Sequence, residues 1–366
     1  MRNISVHSWR SALLAWYDRG HRQLPWRQEP PQTVGGADPW KVWVSEIMLQ
    51  QTPVARVVPY FQKFIKRFPA AGALAVASEA EALSYWSGLG YYSRLRNLRA
   101  GAAAVTDRLR RGGGYPRTAA EWREIPGIGA YTAAAITSIA FGEAVPVIDG
   151  NVRRVAARLR GRRIADGEVR RRLASAIDAS RPGDFNQALM ELGATVCRPE
   201  RPLCDRCPLG RFCNAYAEGR PEQIAVTRAR RQTTILRAVA YVIEGDGKVL
   251  LVKRTQSRKG LLLPTVNIGL WEPPTFRRTA GSDAETVLRE TLGIKLANRR
   301  KLSAEIKHTI THHRISVAIV RTTVVRRPAM TCRTPTAAWV RLDSVLRAAS
   351  TPLTGLARKV LSSVSS

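Results

Sequence analysis

The sequence predicts two domains, an all-α module that ends in a cysteine-rich loop and a smaller α+β module after it. Three observations carry this. The 366 residues are enough for two cores of ordinary size. The apolar period changes from helical to alternating near residue 232. Four of the five cysteines crowd between 197 and 213, at the end of the helical half. The predicted boundaries are a helical domain over 1–216, including the loop 197–213, then a linker over 217–234 and the α+β domain over 235–366.

From residue 8 to about 196, apolar residues recur at helical spacing, as in Trp9, Leu13 and Trp16 and in Phe61, Phe64, Ile65 and Phe68. Asp38-Pro39 places an N-cap and a first-turn proline ahead of a helix running toward Thr52. Ile125-Pro126-Gly127-Ile128-Gly129-Ala130-Tyr131 places two glycines in a tight turn before a small-residue helix. That turn leaves amides bare for phosphate at a helix start, although by itself it could simply join two helices. The stretch 217–234 is polar and basic, as a linker is. Beyond it, Ile235–Ile243 and Val249–Lys253 flank Glu244-Gly245-Asp246-Gly247, a strand–turn–strand signal. Two further β-rich runs are expected at Ala304–Thr311 and Arg314–Val325, with short helices near Ser282–Leu292 and Ser344–Ala349.

The spacing Cys197-x6-Cys204-x2-Cys207-x5-Cys213, with Pro208 after the third, reads as a metal site, and a [4Fe–4S] cluster fits it best. A four-cysteine zinc site is the alternative, though zinc sites usually show two close pairs and only the middle pair is close here. A disulfide pair would need an oxidising compartment that nothing else suggests. Lys and Arg number 59 against 28 Asp and Glu, a net charge of +31 spread along the chain. Such a balance points to a polyanion, nucleic acid first, although arginine-rich composition also follows from genome base bias. No apolar run of about 18 uncharged residues occurs and the start lacks a secretory core. The protein is therefore expected to act in the cytoplasm, near the nucleoid, as a monomer and away from membranes.

Two acids are candidates for chemistry. Glu46 has Val42, Trp43, Leu49 and Gln50 as its helical neighbours, and that mostly apolar setting would raise its pKa toward general-acid use. The plainer alternative is a solvated surface glutamate. Asp149 stands at a helix start, where it could be only an N-cap; dipole and amides there would also keep it ionised. One raised acid and one ionised carboxylate is the pairing that glycosidic cleavage requires.

Several motifs together resemble the MutY-type adenine DNA glycosylases of the helix-hairpin-helix (endonuclease III) superfamily. They are Leu24-Pro25-Trp26-Arg27, Ser45-Glu46-Ile47-Met48-Leu49-Gln50-Gln51-Thr52, Gly88-Leu89-Gly90-Tyr91-Tyr92, the hairpin, Ile148-Asp149-Gly150-Asn151-Val152, the segment from Phe185 to Gly193, and the cysteine run. The resemblance implies a glycosylase that flips adenine out of duplex DNA containing adenine·8-oxoguanine or adenine·guanine mispairs. Glu46 would protonate the base and Asp149 would stabilise the sugar, with Tyr131 and Asn151 assisting. Related endonuclease III enzymes carry a lysine where Tyr131 stands, and a phenol cannot form an imine, so a monofunctional enzyme leaving an abasic site is expected. DNA contacts are implied for Arg27, Gln51, Thr52, Leu89, Tyr91, Gly127, Gly129, Glu191, Thr311 and His312. Leu89 and Tyr91 would invade the base stack, unless they are core residues under a loop. The four cysteines would hold the cluster.

The resemblance continues into an α+β domain similar to the Nudix (MutT-like) fold, through Gly269-Leu270-Trp271-Glu272-Pro273-Pro274, with Leu263–Ile268 an apparent insertion. Arg289-Glu290-Thr291-Leu292-Gly293 keeps one glutamate, too few to hold magnesium for pyrophosphate hydrolysis. Ile310-Thr311-His312 stands where such families carry Phe-Ser-His, so weaker preference for 8-oxoguanine is implied; these histidines could also merely decorate a β-hairpin. The rival readings are a glycosylase for another mispaired base, such as thymine, and a non-catalytic DNA-binding protein with a structural cluster.

Overall fold

The computed structural model describes residues 6–27, 36–224, 232–254, 269–278, 284–310, 313–324, 336–347 and 351–364. By its contacts the chain divides into two compact units, residues 1–76 with 96–230 and residues 77–95 with 231–366. The segment 77–95, which the sequence places in the helical domain, thus groups with the C-terminal residues. One physical contact is explicit: the buried Ser87 hydroxyl donates to the Leu353 carbonyl at 2.8 Å.

Twelve helices precede the first strand among the described residues. They are α1 (Val6–Gly20), α2 (Pro39–Leu49), α3 (Val54–Arg67), α4 (Ala71–Val76), α5 (Glu79–Trp86), α6 (Ser93–Arg110), α7 (Ala119–Arg123), α8 (Ala130–Phe141), α9 (Gly150–Arg160), α10 (Asp166–Ala176), α11 (Pro182–Thr195) and α12 (Asn214–Ala217). The Asp38 carboxylate caps α2 as expected, accepting from the Trp40 amide at 2.9 Å. Leu13 and Tyr17 of α1 pack with Val152 and Val155 of α9, Leu173 of α10, and Phe185, Leu189 and Leu192 of α11. Around α2 the packing is aromatic: Trp40, Trp43 and Trp122 meet edge to face, each essentially without solvent contact.

Two close approaches hold the site-bearing helices. A Cβ at Gly193 would stand 2.6 Å from Asn151 Cβ, so this glycine lets α11 lie directly against the start of α9. Buried Asn186 of α11 accepts from the Val147 amide at 3.0 Å and donates to the Val145 carbonyl at 2.9 Å, fixing the extended entry to Asp149. Gly127 has φ +80° and a Cβ there would meet Asn97 at 2.4 Å, so the hairpin turn admits no side chain at that point.

The C-terminal unit contains β1 (Thr234–Gly245), β2 (Lys248–Lys253), β3 (Trp271–Glu272), β4 (Thr275–Arg277), α13 (Ala284–Leu292), β5 (Leu296–Ile310), β6 (His313–Val324), β7 (Ala337–Arg341), α14 (Leu342–Arg347) and α15 (Gly355–Ser362). The sheet runs β3-β2-β1-β6-β5, with β4 on β1 and β7 on β2. The β1–β6 pair is parallel and the other named pairs are antiparallel. Alternation along β1 sends Leu236, Ala238, Ala240 and Val242 into a core with Val345 of α14 and Leu356 and Val360 of α15. Ile243 faces the opposite core with Leu288 of α13. The expected β1–β2 turn is present, with positive φ at Asp246 and Gly247. Beyond the expected elements the unit has β3, β4, β7 and α15, β5 begins at Leu296 rather than Ala304, and α14 begins at Leu342 rather than near Ser344. Thr311, His312 and the Leu263–Ile268 stretch lie outside the described residues.

Candidate active site and cysteine loop

Glu46 lies on α2 with 6% of its surface exposed. Burial pushes its carboxyl up to about 7; the neighbouring negative charge of Asp149 adds to the rise, while a hydrogen bond from Tyr131 and the charge of Arg27 oppose it. Tyr131, in the first turn of α8, donates its hydroxyl to Glu46 Oε2 at 2.6 Å. Surface solvation of this glutamate is ruled out by that burial.

Asp149 caps α9, accepting from the Val152 amide at 2.7 Å and from Asn151 Nδ2 at 3.0 Å. Its carboxyl nevertheless sits above its ordinary value, because desolvation outweighs these donors. This corrects the expectation that the helix start would only stabilise the ionised form. The backbone and side-chain donors of Val152 and Asn151 restrain the rise.

Glu46, Tyr131, Asp149 and Asn151 line one cleft of about 470 Å³, with Arg22, Arg27, Thr52, Met190 and Glu191 on its walls. That volume suits a small organic group such as a nucleobase with its sugar. Glu191 of α11 is buried; burial alone would raise its pKa, but Arg22 and Arg27 hold it below the ordinary value. Arg22 Nε and Nη2 donate at 2.6 and 2.8 Å, and Arg27 Nη2 at 2.9 Å. Arg27 and Glu191 are therefore paired with one another on the cleft wall. Sequence reasoning missed Arg22, since nothing in the local pattern separates a wall arginine from the many others of this chain, and it named Asn186 and Met190 only as part of a motif, without a role.

The other expected DNA contacts belong to both units. Gln51 is exposed and holds φ +58°, whereas Thr52 is buried. Gly127 and Gly129 are exposed, and the N-cap Gly129 gives the amides at the start of α8 no side-chain acceptor. In the C-terminal unit, Gly88, Gly90 and Tyr91 all have positive φ. The Trp86 indole and Arg94 Nη2 both donate to the Gly90 carbonyl, at 3.2 and 3.3 Å. Leu89 in this loop is 5% exposed, as the core reading had it.

The four cysteines carry no disulfide and line one small cavity together with Arg158 and Tyr216. Among the described residues no three His, Cys, Asp or Glu side chains stand as a ready-made site for a single ion. Burial and the mutual repulsion of thiolates push Cys207 up to about 12 and Cys213 up to about 11, so a metal must displace protons to bind. Arg154 ties this loop to the cleft, donating from Nε to the Cys197 carbonyl at 2.8 Å and from Nη2 to Asn151 Oδ1 at 2.9 Å. Arg198, Arg201, Arg206 and Arg211 on the loop are all exposed.

Burying Glu46 has a thermodynamic signature. Its folded pKa is raised from 4.5 to about 7, so its stability cost is absent below 4.5, grows as pH rises to 7 and is complete above that. Glu46→Gln, which still accepts from Tyr131, is expected to stabilise the fold by on the order of 3 kcal/mol near pH 8 and hardly at all below pH 4.5. Denaturant unfolding at both pH values checks this.

Residues 44–178 match the family model of the HhH-GPD superfamily base excision DNA repair proteins. The adenine DNA glycosylase of Mus musculus is 36% identical over 400 residues, covering 94% of this chain and 76% of the mouse protein. The chain belongs to the adenine DNA glycosylase family. Its membership makes it a base excision repair glycosylase acting on adenine in DNA. The adenine DNA glycosylase of Buchnera aphidicola subsp. Baizongia pistaciae (strain Bp) is 32% identical over 312 residues, covering 82% of each chain. That of Homo sapiens is 47% identical over 227 residues, and the match spans 41% of its length. Among solved structures, a thermostable thymine-DNA glycosylase shares the helical fold, with TM-score 0.52 and 24% identity over 58% of this chain and 97% of its own.

Proposed function

We propose that this protein hydrolyses the N-glycosidic bond of adenine placed opposite 8-oxoguanine or guanine in duplex DNA, leaving an abasic site. The observation that carries it is the buried, proton-bearing Glu46 sharing one cleft with Asp149. Glu46 gives its proton to a ring nitrogen of the extruded adenine as the bond between that base and the sugar breaks. The Asp149 carboxylate stabilises the resulting oxocarbenium-like sugar. Water adds at the sugar carbon and returns a proton to Glu46. Arg22 and Arg27, fixed by Glu191, wall the base pocket. The bare amides after Gly127 and Gly129 grip a phosphate without reading sequence, and the exposed loop arginines add further phosphate contacts.

The four thiols suit a [4Fe–4S] cluster, with Cys197, Cys204, Cys207 and Cys213 as its ligands. The four thiols line one cavity, so a single bound group could take all four as ligands. When bound, the cluster would order this loop and its phosphate-facing arginines. The C-terminal unit, with a sheet covered by helices on both faces, would serve as a Nudix-like reader of the oxidised base. Exposed Glu290 is the one glutamate of its stretch, which argues against magnesium-dependent hydrolysis there.

Labelled duplexes with adenine·8-oxoguanine, adenine·guanine and thymine·guanine pairs test the reading when resolved with and without hot alkali. Strand breaks at adenine that require alkali are expected, along with no borohydride-trapped adduct, since Tyr131 offers no amine. Release of thymine but not adenine would sink the proposal. The pH profile gives a second check. Because Glu46 must be protonated, kcat/KM should fall as pH rises through about 7. Tyr131→Phe removes the bond that holds this pKa down and should move the alkaline limb upward.

A further inference from the structure

Arg158 of α9 is 2% exposed and lines the cavity of the four cysteines. Its guanidinium donates from Nε to the Pro221 carbonyl at 2.7 Å and from Nη2 to the Pro199 carbonyl at 2.9 Å. Nη1 donates to the Arg198 carbonyl at 2.6 Å and to Cys197 Sγ at 3.3 Å. Its own carbonyl accepts from Cys213 Sγ at 3.3 Å. Among the described residues every one of these bonds ends on a carbonyl or a sulfur, and none ends on a carboxylate.

A buried cation without a counter-ion is costly, since carbonyl dipoles only partly replace its hydration. The missing negative charge is available in the same cavity. Four thiolates outweigh the positive charge of an iron–sulfur core, so the loaded site is net anionic beside a guanidinium that already touches one of its sulfurs. Arg158 also reaches both ends of the loop, residues 198–199 just after Cys197 and Pro221 beyond Cys213, and therefore links loop closure to the charge inside.

We propose that Arg158 is a positioning residue of the cluster site, supplying its buried counter-charge and an N–H···S bond to Cys197 while fastening both ends of the loop to α9. This rests on the [4Fe–4S] reading above. A positive neighbour favours the reduced, more negative cluster, so loss of the charge makes reduction harder.

The test compares the wild-type protein with Arg158→Gln and Arg158→Lys, all purified from iron-replete cells. Iron and acid-labile sulfide per chain, visible absorption and the one-electron midpoint potential are measured. Arg158→Gln should load less cluster. In its loaded fraction the oxidised-to-reduced ratio at fixed potential should rise about tenfold, a negative shift of about 59 mV. Arg158→Lys keeps the charge and should recover most of the loading with a smaller shift. Full loading at an unchanged potential in Arg158→Gln would overturn the proposal, as would equal losses in both variants. If Arg158→Gln holds no cluster, the lysine variant decides: recovery supports the counter-charge, and no recovery overturns it. Zinc, or no iron, in the wild-type protein would instead overturn the cluster reading itself.

Discussion

Glu46→Gln should slow adenine release by a factor on the order of 10² to 10⁴, the usual worth of a positioned general acid, while DNA affinity stays near that of the wild-type protein. The expectation is this large because the cleft contains one proton-bearing carboxyl suited to the task. The Glu46 side chain is 6% exposed and its pKa is pushed up to about 7, so near neutral pH it still holds a proton that a glutamine cannot give. Gln keeps the shape of the side chain and can accept from Tyr131 Oη, so the cleft wall is left standing. Single-turnover release from an adenine·8-oxoguanine duplex, with filter binding alongside, checks both halves. Unchanged turnover would show that another group delivers the proton. A parallel loss of binding would show that the substitution damaged the site rather than its chemistry.

Asp149→Asn should cost a factor on the order of 10² to 10³ in the same assay, comparable with removing one electrostatic stabiliser of a transition state. The substitution separates the two readings that the sequence leaves open. Asn is as good an N-cap as Asp, so if Asp149 served α9 alone the rate would hardly change. The Val152 amide keeps its acceptor in the variant, and only the bond from Asn151 Nδ2 is replaced by a meeting of two amide groups. The stability loss should therefore stay near 1 kcal/mol. A rate loss far beyond what that small change predicts identifies the negative charge as the working feature. An unchanged rate with a lowered melting temperature would assign Asp149 to capping only.

Much of the architecture is legible because short-range signals carry it. Asp38-Pro39 announces α2, the two hairpin glycines announce the start of α8, and Asp246-Gly247 announces the β1–β2 turn. In each case the signal is a φ angle or a cap that few residues can supply. Among the elements that escape notice, β7 and α15 owe their place to burial against the sheet: Ala337 of β7, and Leu356 and Val360 of α15, are buried in its two cores. Their local composition is ordinary.

The active site divides the same way. Glu46 is readable from its apolar helical neighbours, and Asp149 from its place at a helix start. Arg22 and Arg158 are not readable, because in a chain with 59 Lys and Arg a buried arginine looks like any solvated one until the fold encloses it. The sign of the Asp149 shift also escaped, since its amide donors are local and its desolvation is not.

Sequence alone therefore determined which residues could do the chemistry: a carboxyl among mostly apolar helical neighbours, a capping aspartate, a tyrosine where an amine would be needed for strand cleavage, and four thiols at cluster spacing. Tertiary structure alone decided their protonation and partnership, with Glu46 holding its proton, Glu191 held between two arginines and Arg158 enclosed beside the thiols. The reason is physical. Spacing and caps act over one or two turns of chain, whereas desolvation and charge pairing depend on which distant segments pack around a group, and α2, α8, α9 and α11 meet only once folded.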